Sequence, residues 1–298
     1  MSNSEKLKKM METRPIVKVG GAYDALSAKL VETSGFDAIW AGSFAISATH
    51  ALPDASILTM TDFLRAAENM VDACNIPVIA DCDTGFGGPA NVSHAVKKYE
   101  KAGIAGISIE DKIFPKQNSL LEDARQELLP EKEFVAKIIA AREAKKESSF
   151  MIIARTEALI AEKGMMEALQ RAKAYEDAGA DAILIHSKKN TPNEIFEFAE
   201  KWDGLVPLVV VPTSYPSVKI SELISHKIKM VIFANQSLRV AHHAISRLLK
   251  EIIHNDSLEE IKIDMSKMDD IFRLQNTYRI NEQEKMIEDD LRKMGYIN

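Results

Sequence analysis

The stretch Glu110-Asp111-Lys112-Ile113-Phe114-Pro115-Lys116-Gln117-Asn118-Ser119 follows an apolar run, Ile104 to Ile109, that reads as a buried strand. A strand that stops in a carboxylate places that carboxylate. The residues behind Glu110 add two ammonium groups, two amides and a hydroxyl, a set of donors suited to a phosphate or carboxylate oxyanion. The segment reads as a site and as a lid over it; the alternative is a plain polar surface loop. Asp81-Cys82-Asp83 lies at the end of the preceding apolar run, so three carboxylates are expected at adjacent strand tips. Hard oxygen donors without histidine or thiolate suit Mg2+, with Mn2+ as a substitute, and the turn Gly85-Phe86-Gly87-Gly88 lets the backbone approach closely. A solvated acidic loop is the competing reading. Arg155 ends another hydrophobic run and either clamps an oxyanion or pairs with Glu157 or another ring carboxylate. His186 is a general acid or base, a neutral donor to an anion, or a histidine satisfied by its neighbours. Asp54, in Ala51-Leu52-Pro53-Asp54-Ala55-Ser56, is a nucleophile or base, or a turn residue.

The elements that position these groups follow a regular pattern. Apolar runs recur at Ile16 to Val19, Ala38 to Trp40, Pro77 to Ala80, Ile104 to Ile109, Phe150 to Ala154, Ala182 to Ile185, Leu205 to Val211 and Met230 to Phe233. Continuous rather than alternating apolarity suits strands of a parallel sheet covered on both faces. Helical periodicity lies between them, over 90–102 (Val92, Ala95, Val96, Tyr99) and over 162–178 (Ala168, Leu169, Ala172, Tyr175). An echo of helix end, glycine and strand recurs at Gly35, Gly103 and Gly179. Eight such units without a linker predict one α/β domain over 1–298, a (β/α)8 TIM-type barrel at about 15–255 with a charged helical tail at about 257–298. A doubly wound open sheet is the main competitor, weakened because no glycine-rich phosphate loop follows the first strand. In a barrel the strand tips form a ring. That ring contains Tyr23, Asp24, Trp40, Gly42, Ser43, Asp81, Asp83, Glu110, Arg155, Glu157, His186, Ser187, Thr213 and Asn235.

Hydrophobic content of 46% supplies a core, and a net charge of −6 argues against nucleic-acid or anionic-membrane partners. Cys74 and Cys82 lack CxxC spacing and point to a reducing, cytoplasmic setting. The polar start of the chain and the lack of a run of roughly 20 apolar residues predict neither secretion nor membrane insertion.

Ring and lid together resemble the isocitrate lyase and phosphoenolpyruvate mutase superfamily over nearly the whole chain. Glu110-Asp-Lys-x-x-x-x-x-Asn118-Ser119 is similar to the mutase signature; Asp81-x-Asp83-Thr84-Gly85, Ala154-Arg155-x-Glu157-Ala158, Ile185-His186-Ser187-Lys188 and Val211-Pro212-Thr213 add to the match. The resemblance implies interconversion of phosphoenolpyruvate and phosphonopyruvate, with Mg2+ held by Asp81, Asp83 and Glu110, partly through water. It implies that Arg155, His186 and Asn118 grip the phosphoryl group and that Asp54 acts as nucleophile or guards a transient metaphosphate. Backbone amides around Gly42, Ser43 and Phe44 would hold the substrate carboxylate beneath Trp40, and Lys112, Lys116, Asn118 and Ser119 would close the lid against water. A homotetramer, a dimer of dimers with the last helix exchanged between subunits, is implied as well. Family members usually carry Ser-Gly where this chain reads Ala41-Gly42-Ser43, which moves a hydroxyl by one position or marks a different acid. Phosphonopyruvate hydrolase is the nearest alternative, its lid typically bearing Thr at the place of Asn118. Carbon–carbon lyases of the superfamily use a lid Cys, which 112–130 lacks. A non-catalytic barrel acting as a scaffold is the remaining class.

Overall fold

The computed structural model describes residues 1–298. Eight strands, β1 (Val17–Ala22), β2 (Ala38–Ala41), β3 (Val78–Asp81), β4 (Gly106–Glu110), β5 (Met151–Thr156), β6 (Ala182–Ile185), β7 (Leu208–Val210) and β8 (Ile228–Phe233), pair in parallel in that order and close into a barrel. The helices are α1 (Asn3–Thr13), α2 (Ala25–Thr33), α3 (Ser43–Thr49), α4 (Met60–Ala73), α5 (Pro89–Lys101), α6 (Glu131–Ala144), α7 (Met165–Ala178), α8 (Asn193–Lys201), α9 (Ile220–Ser225), α10 (Gln236–His254), α11 (Met268–Leu274) and α12 (Thr277–Lys293). The expected (β/α)8 barrel is therefore the fold, and the open sheet is excluded.

Alternate residues along each strand point to two separate cores, as the two-residue strand period requires. Inside the barrel lie Val17, Val19, Trp40, Ile79, Ile153, Leu184, Val209 and Met230, joined by Leu7 and Met11 from α1. Between strands and helices lie Ile39, Val78, Ile107, Ile152, Ile183 and Val210 with the buried faces of α2 and α4 to α9. Full burial of one such side chain is worth about 1.5–3 kcal/mol. Each of the echoed glycines Gly103 (φ 78°) and Gly179 (φ 104°) takes the left-handed conformation that stops a helix and turns the chain into the next strand.

Several boundaries differ from expectation by a few residues. The seventh run begins late because Leu205 is solvent-exposed and Pro207 lacks an amide hydrogen for the ladder. Helix α7 starts at Met165 rather than Glu162 because Glu162 and Gly164 both have positive φ. The chain divides into two compact units, Met1–Val240 and Ala241–Asn298. No residue of α10, α11 or α12 is buried. Within the second unit, Asp269 accepts from Tyr278 Oη at 2.5 Å and from Arg273 Nε at 2.7 Å. No helix is long and apolar enough to cross a membrane.

Candidate active site

The carboxyl ends of the strands surround a cavity of about 160 Å³, small beside the roughly 300–1,000 Å³ of drug-sized sites and suited to a compact ligand. Trp40, Gly42, Ser43, Phe44, Asp54 and Asp81 line one part, Lys116, Asn118 and Ser119 close it from the lid, and Arg155 and His186 complete the wall. Three other expected site residues, Asp83, Glu110 and Lys112, are buried behind this lining. Gly42 is the N-cap of α3 and provides no side-chain cap, so the first-turn amide hydrogens of that helix are left for other acceptors. Ser43 Oγ donates to Asp81 Oδ2 at 3.0 Å and accepts from Lys116 Nζ at 3.2 Å. The hydroxyl in the altered Gly42-Ser43 order thus faces the acidic side of the site.

The lid springs from paired stems. Lys112 bridges Leu128 in antiparallel fashion, Ile113 N donates to Glu127 O at 3.1 Å, and Leu129 N donates to Asp111 O at 2.8 Å. Beyond the stems the lid turns inward. Asn118 Nδ2 donates to Asp54 Oδ2 at 2.8 Å, and the buried Lys116 ammonium lies 3.0 Å from Asp54 Oδ1 and 2.7 Å from Asp83 Oδ1. Burial works to raise the Asp54 carboxyl, but Lys116 and Asn118 outweigh it and hold the group below its ordinary value. The outcome is an ionised, water-shielded carboxylate under the lid.

Glu157 organises the opposite wall. It is wholly buried, pairs with Arg155 Nε, accepts from Ser119 Oγ at 2.5 Å and lies 3.4 Å from Lys112 Nζ. Burial opposes its ionisation, yet Arg155, His186 and Lys112 pull its carboxyl well below the usual range. Lys112 is spent on this network and on Gln117 O (2.8 Å) and Ser119 Oγ (2.7 Å), so it ties the lid down instead of facing the cavity. His186 Nδ1 sits 2.8 Å from Arg155 Nη2 and 3.1 Å from Glu157 Oε1. In a neutral ring it serves only one of them, accepting from Arg155 or donating to Glu157. Burial first, and then Arg155, lower the pKa of His186 and favour that neutral ring. The two sequence readings of Arg155 coexist: it is ion-paired with Glu157, and it also lines the cavity. The sequence placed Glu157 in the ring of strand tips and offered it as a possible partner of Arg155 without counting it among the site residues; its place two residues after Arg155, just past the end of β5, is the signal that marks it as more.

The acidic side is held by backbone. Glu110 N donates to Asp83 O at 2.8 Å, Asp83 N to Asp81 Oδ1 at 3.2 Å, and Lys137 Nζ to Thr84 O at 2.8 Å. Asp83 adopts φ 49°, a left-handed conformation that aspartate tolerates and that is often found at functional positions. Burial, with Asp81, Asp54 and Glu110 nearby, raises its carboxyl to about 7 against the pull of Lys116. Asp83 Oδ1 and Glu110 Oε1 are buried with no aligned hydrogen-bond donor; the Lys116 ammonium is close to the former but off its bonding direction. Orphaned hard oxygens fit a divalent cation such as Mg2+. No three acidic, histidine or cysteine groups converge directly on one point, so such an ion needs water or substrate oxygens in its shell.

Residues 7–253 match the family model for phosphoenolpyruvate phosphomutase. A phosphonopyruvate hydrolase from Variovorax sp. (strain Pal2) is 41% identical over 281 residues, covering 94% of this chain and 97% of that protein. Among solved structures, a phosphoenolpyruvate phosphomutase from Streptomyces platensis subsp. rosaceus superposes with a TM-score of 0.93 at 43% identity, covering 95% of this chain and 98% of its own. A phosphonopyruvate hydrolase in complex with oxalate and Mg2+ superposes with a TM-score of 0.90 at 39% identity, covering 96% and 99%. The chain belongs to the phosphoenolpyruvate phosphomutase family, within the superfamily that also contains isocitrate lyase.

Proposed function

We propose that this protein is a phosphoenolpyruvate mutase, an isomerase that interconverts phosphoenolpyruvate and phosphonopyruvate and so makes or breaks a carbon–phosphorus bond. One observation carries the reading: Asn118 of the lid meets Asp54 at 2.8 Å, while Ser119 beside it meets Glu157, which holds Arg155. A lid tied at both walls excludes water where a phosphoryl group would pass between two oxygen- and carbon-centred acceptors.

In the reaction, the C3–P bond of phosphonopyruvate breaks with its electron pair passing into the pyruvate enolate. Phosphorus is then retaken by the enolate oxygen. Between these events the phosphoryl group is held by the Arg155 guanidinium, the neutral His186 ring and the Asn118 amide, groups that position and neutralise a loose transition state. Asp54, ionised and shielded, acts as nucleophile or guards the metaphosphate. Backbone amides around Gly42, Ser43 and Phe44 take the substrate carboxylate beneath Trp40. Asp81, Asp83 and Glu110 would hold Mg2+, partly through water, and the ion would supply charge neutralisation at the carboxylate and enolate oxygens. The Mg2+ in the similar hydrolase structure supports this choice.

Hydrolysis of phosphonopyruvate to pyruvate and phosphate is the second reading, favoured by the 41% identity to the Variovorax enzyme. The two share substrate and site and differ in whether water reaches phosphorus. Lyase chemistry of the isocitrate type lacks its lid cysteine here, since both cysteines, Cys74 and Cys82, lie elsewhere and are buried. Their free state supports a cytoplasmic setting. The apolar stripe Ile245, Leu249, Ile252 and Ile253 on α10 is exposed at helical spacing, which supports assembly through exchanged C-terminal helices into a tetramer. The function is tested by consumption of phosphonopyruvate with Mg2+. The wild-type protein is expected to consume it and the Asp54→Ala variant or an EDTA-treated sample to leave it intact; equal consumption by Asp54→Ala would remove that residue from the chemistry.

A further inference from the structure

Behind the active site, and outside its lining, lies a second buried polar cluster that nothing above uses. The Asp111 carboxylate is completely buried. It accepts from Glu157 N at 2.8 Å and from Tyr175 Oη at 2.7 Å, and Arg171 Nη1 lies 3.3 Å away. The same Arg171 nitrogen donates to Leu129 O at 3.0 Å, and Arg171 Nε donates to Glu167 Oε1 at 2.7 Å. Asp111 is the entry stem of the lid and Leu129 the exit stem, already joined by Leu129 N donating to Asp111 O. One guanidinium from α7 therefore grips both feet of the lid at once. Its i+4 neighbour on the same helix face, Tyr175, grips the entry foot again.

We propose that Asp111, Arg171 and Tyr175 are positioning residues: a brace that locks both feet of the lid to α7 and, through the Glu157 amide, sets where Glu157 stands. Glu157 in turn carries the latch to Ser119 and the orientation of Arg155 and His186. The chain of contacts runs from helix to lid foot to latch without a solvent-exposed link. Burying an arginine, an aspartate and a tyrosine hydroxyl together is costly unless each is satisfied, and here the cluster satisfies all three. A purely structural ion pair would need only one contact to the lid; this one spans both stems and the latch residue. The proposal rests on reading residues 113–126 as a lid over the site, and its test does not depend on which substrate that site takes.

Arg125, in the lid, has a side chain 61% exposed, so trypsin cleavage after it reports lid opening. Cleavage after Lys267, in the second compact unit, is the internal reference. Tyr175→Phe keeps the ring packed edge-on against Phe134 at 4.6 Å and removes only the hydroxyl. The expected result is a rise of at least about tenfold in cleavage after Arg125 relative to Lys267, the effect of losing one hydrogen bond to a charged acceptor. A fall in kcat larger than any change in KM should accompany it. Ser119→Ala, which releases the latch from the other end, should give the same selective rise, and the double variant should add little to either. Arg171→Lys keeps the charge but replaces the guanidinium, whose Nη1 touches both feet while Nε is anchored on Glu167, with a lone ammonium that lacks this anchored geometry, and should raise cleavage as well. Unchanged cleavage in Tyr175→Phe overturns the brace. So does an equal rise at Arg125 and Lys267, or a lowered melting temperature with no selectivity, since either reports general loosening. A selective rise in a protein that leaves phosphonopyruvate untouched would uphold the brace and defeat the proposed function alone.

Discussion

Replacing Glu157 by glutamine should cost this protein far more than the loss of one ion pair usually does. Glu157 is wholly buried between the Arg155 guanidinium and the Lys112 ammonium, with Ser119 Oγ at 2.5 Å. An exposed ion pair contributes about 0–1 kcal/mol, whereas removing one partner of a buried pair costs about 3–5 kcal/mol because a charge is left uncompensated. Against a total stability of roughly 5–15 kcal/mol, that is a large share. At about 2 °C per kcal/mol for a chain of this size, the melting temperature should fall by about 6–10 °C. Glutamine keeps the shape and can still accept from Ser119, so the loss isolates charge. Adding Lys112→Met should return part of it, because the second change removes one of the stranded cations. The sign with pH follows from the carboxyl lying well below its ordinary 4.5 in the folded protein. Its stabilisation is complete above about 4.5 and disappears as pH falls through the lower folded value, so the glutamine variant should lack that acid-side loss. Differential scanning calorimetry from pH 3 to 8 measures both effects. A fall in melting temperature under about 2 °C, or no recovery in the double variant, would refute the organising role of Glu157.

Other expectations follow from single contacts. His186 titrates below its ordinary 6.5, mainly through burial and then Arg155, so the stability it contributes is present above about 6.5 and lost as pH falls below it; His186→Gln should flatten the melting temperature between pH 5 and 7. A Cβ at Gly21 would lie 2.1 Å from the Ala234 carbonyl oxygen, a rigid partner where β1 meets β8, so Gly21→Ala should destabilise by about 1–3 kcal/mol or more in urea titration. Asn118→Thr removes the amide that reaches Asp54 at 2.8 Å and should shift product from phosphoenolpyruvate towards inorganic phosphate, read as the ratio of the two.

The barrel was legible because its strands are buried on both faces and announce themselves as continuous apolar runs, with polar groups at each end. The ring of strand tips followed from that alone, and Trp40, Asp81, Arg155 and His186 do line one cavity. What the sequence hid is which neighbour each charge takes. Lys112 and Lys116 look alike as lid cations, yet the first turns back to Glu157 and the second forward to Asp54 and Asp83, a choice made by the fold of the lid stems. Tyr175 fits an apolar helix stripe and is indeed core, but periodicity is silent about its hydroxyl, which lands on an aspartate 64 residues away.

The fate of phosphorus separates the two activities. Incubating the wild-type protein and Mg2+ with phosphonopyruvate and following the phosphorus NMR spectrum should show the phosphonate resonance replaced by that of phosphoenolpyruvate, with the total of the two conserved. Accumulation of inorganic phosphate with stoichiometric pyruvate would rule out the mutase and make this chain a hydrolase; an unchanged spectrum would deny it both activities.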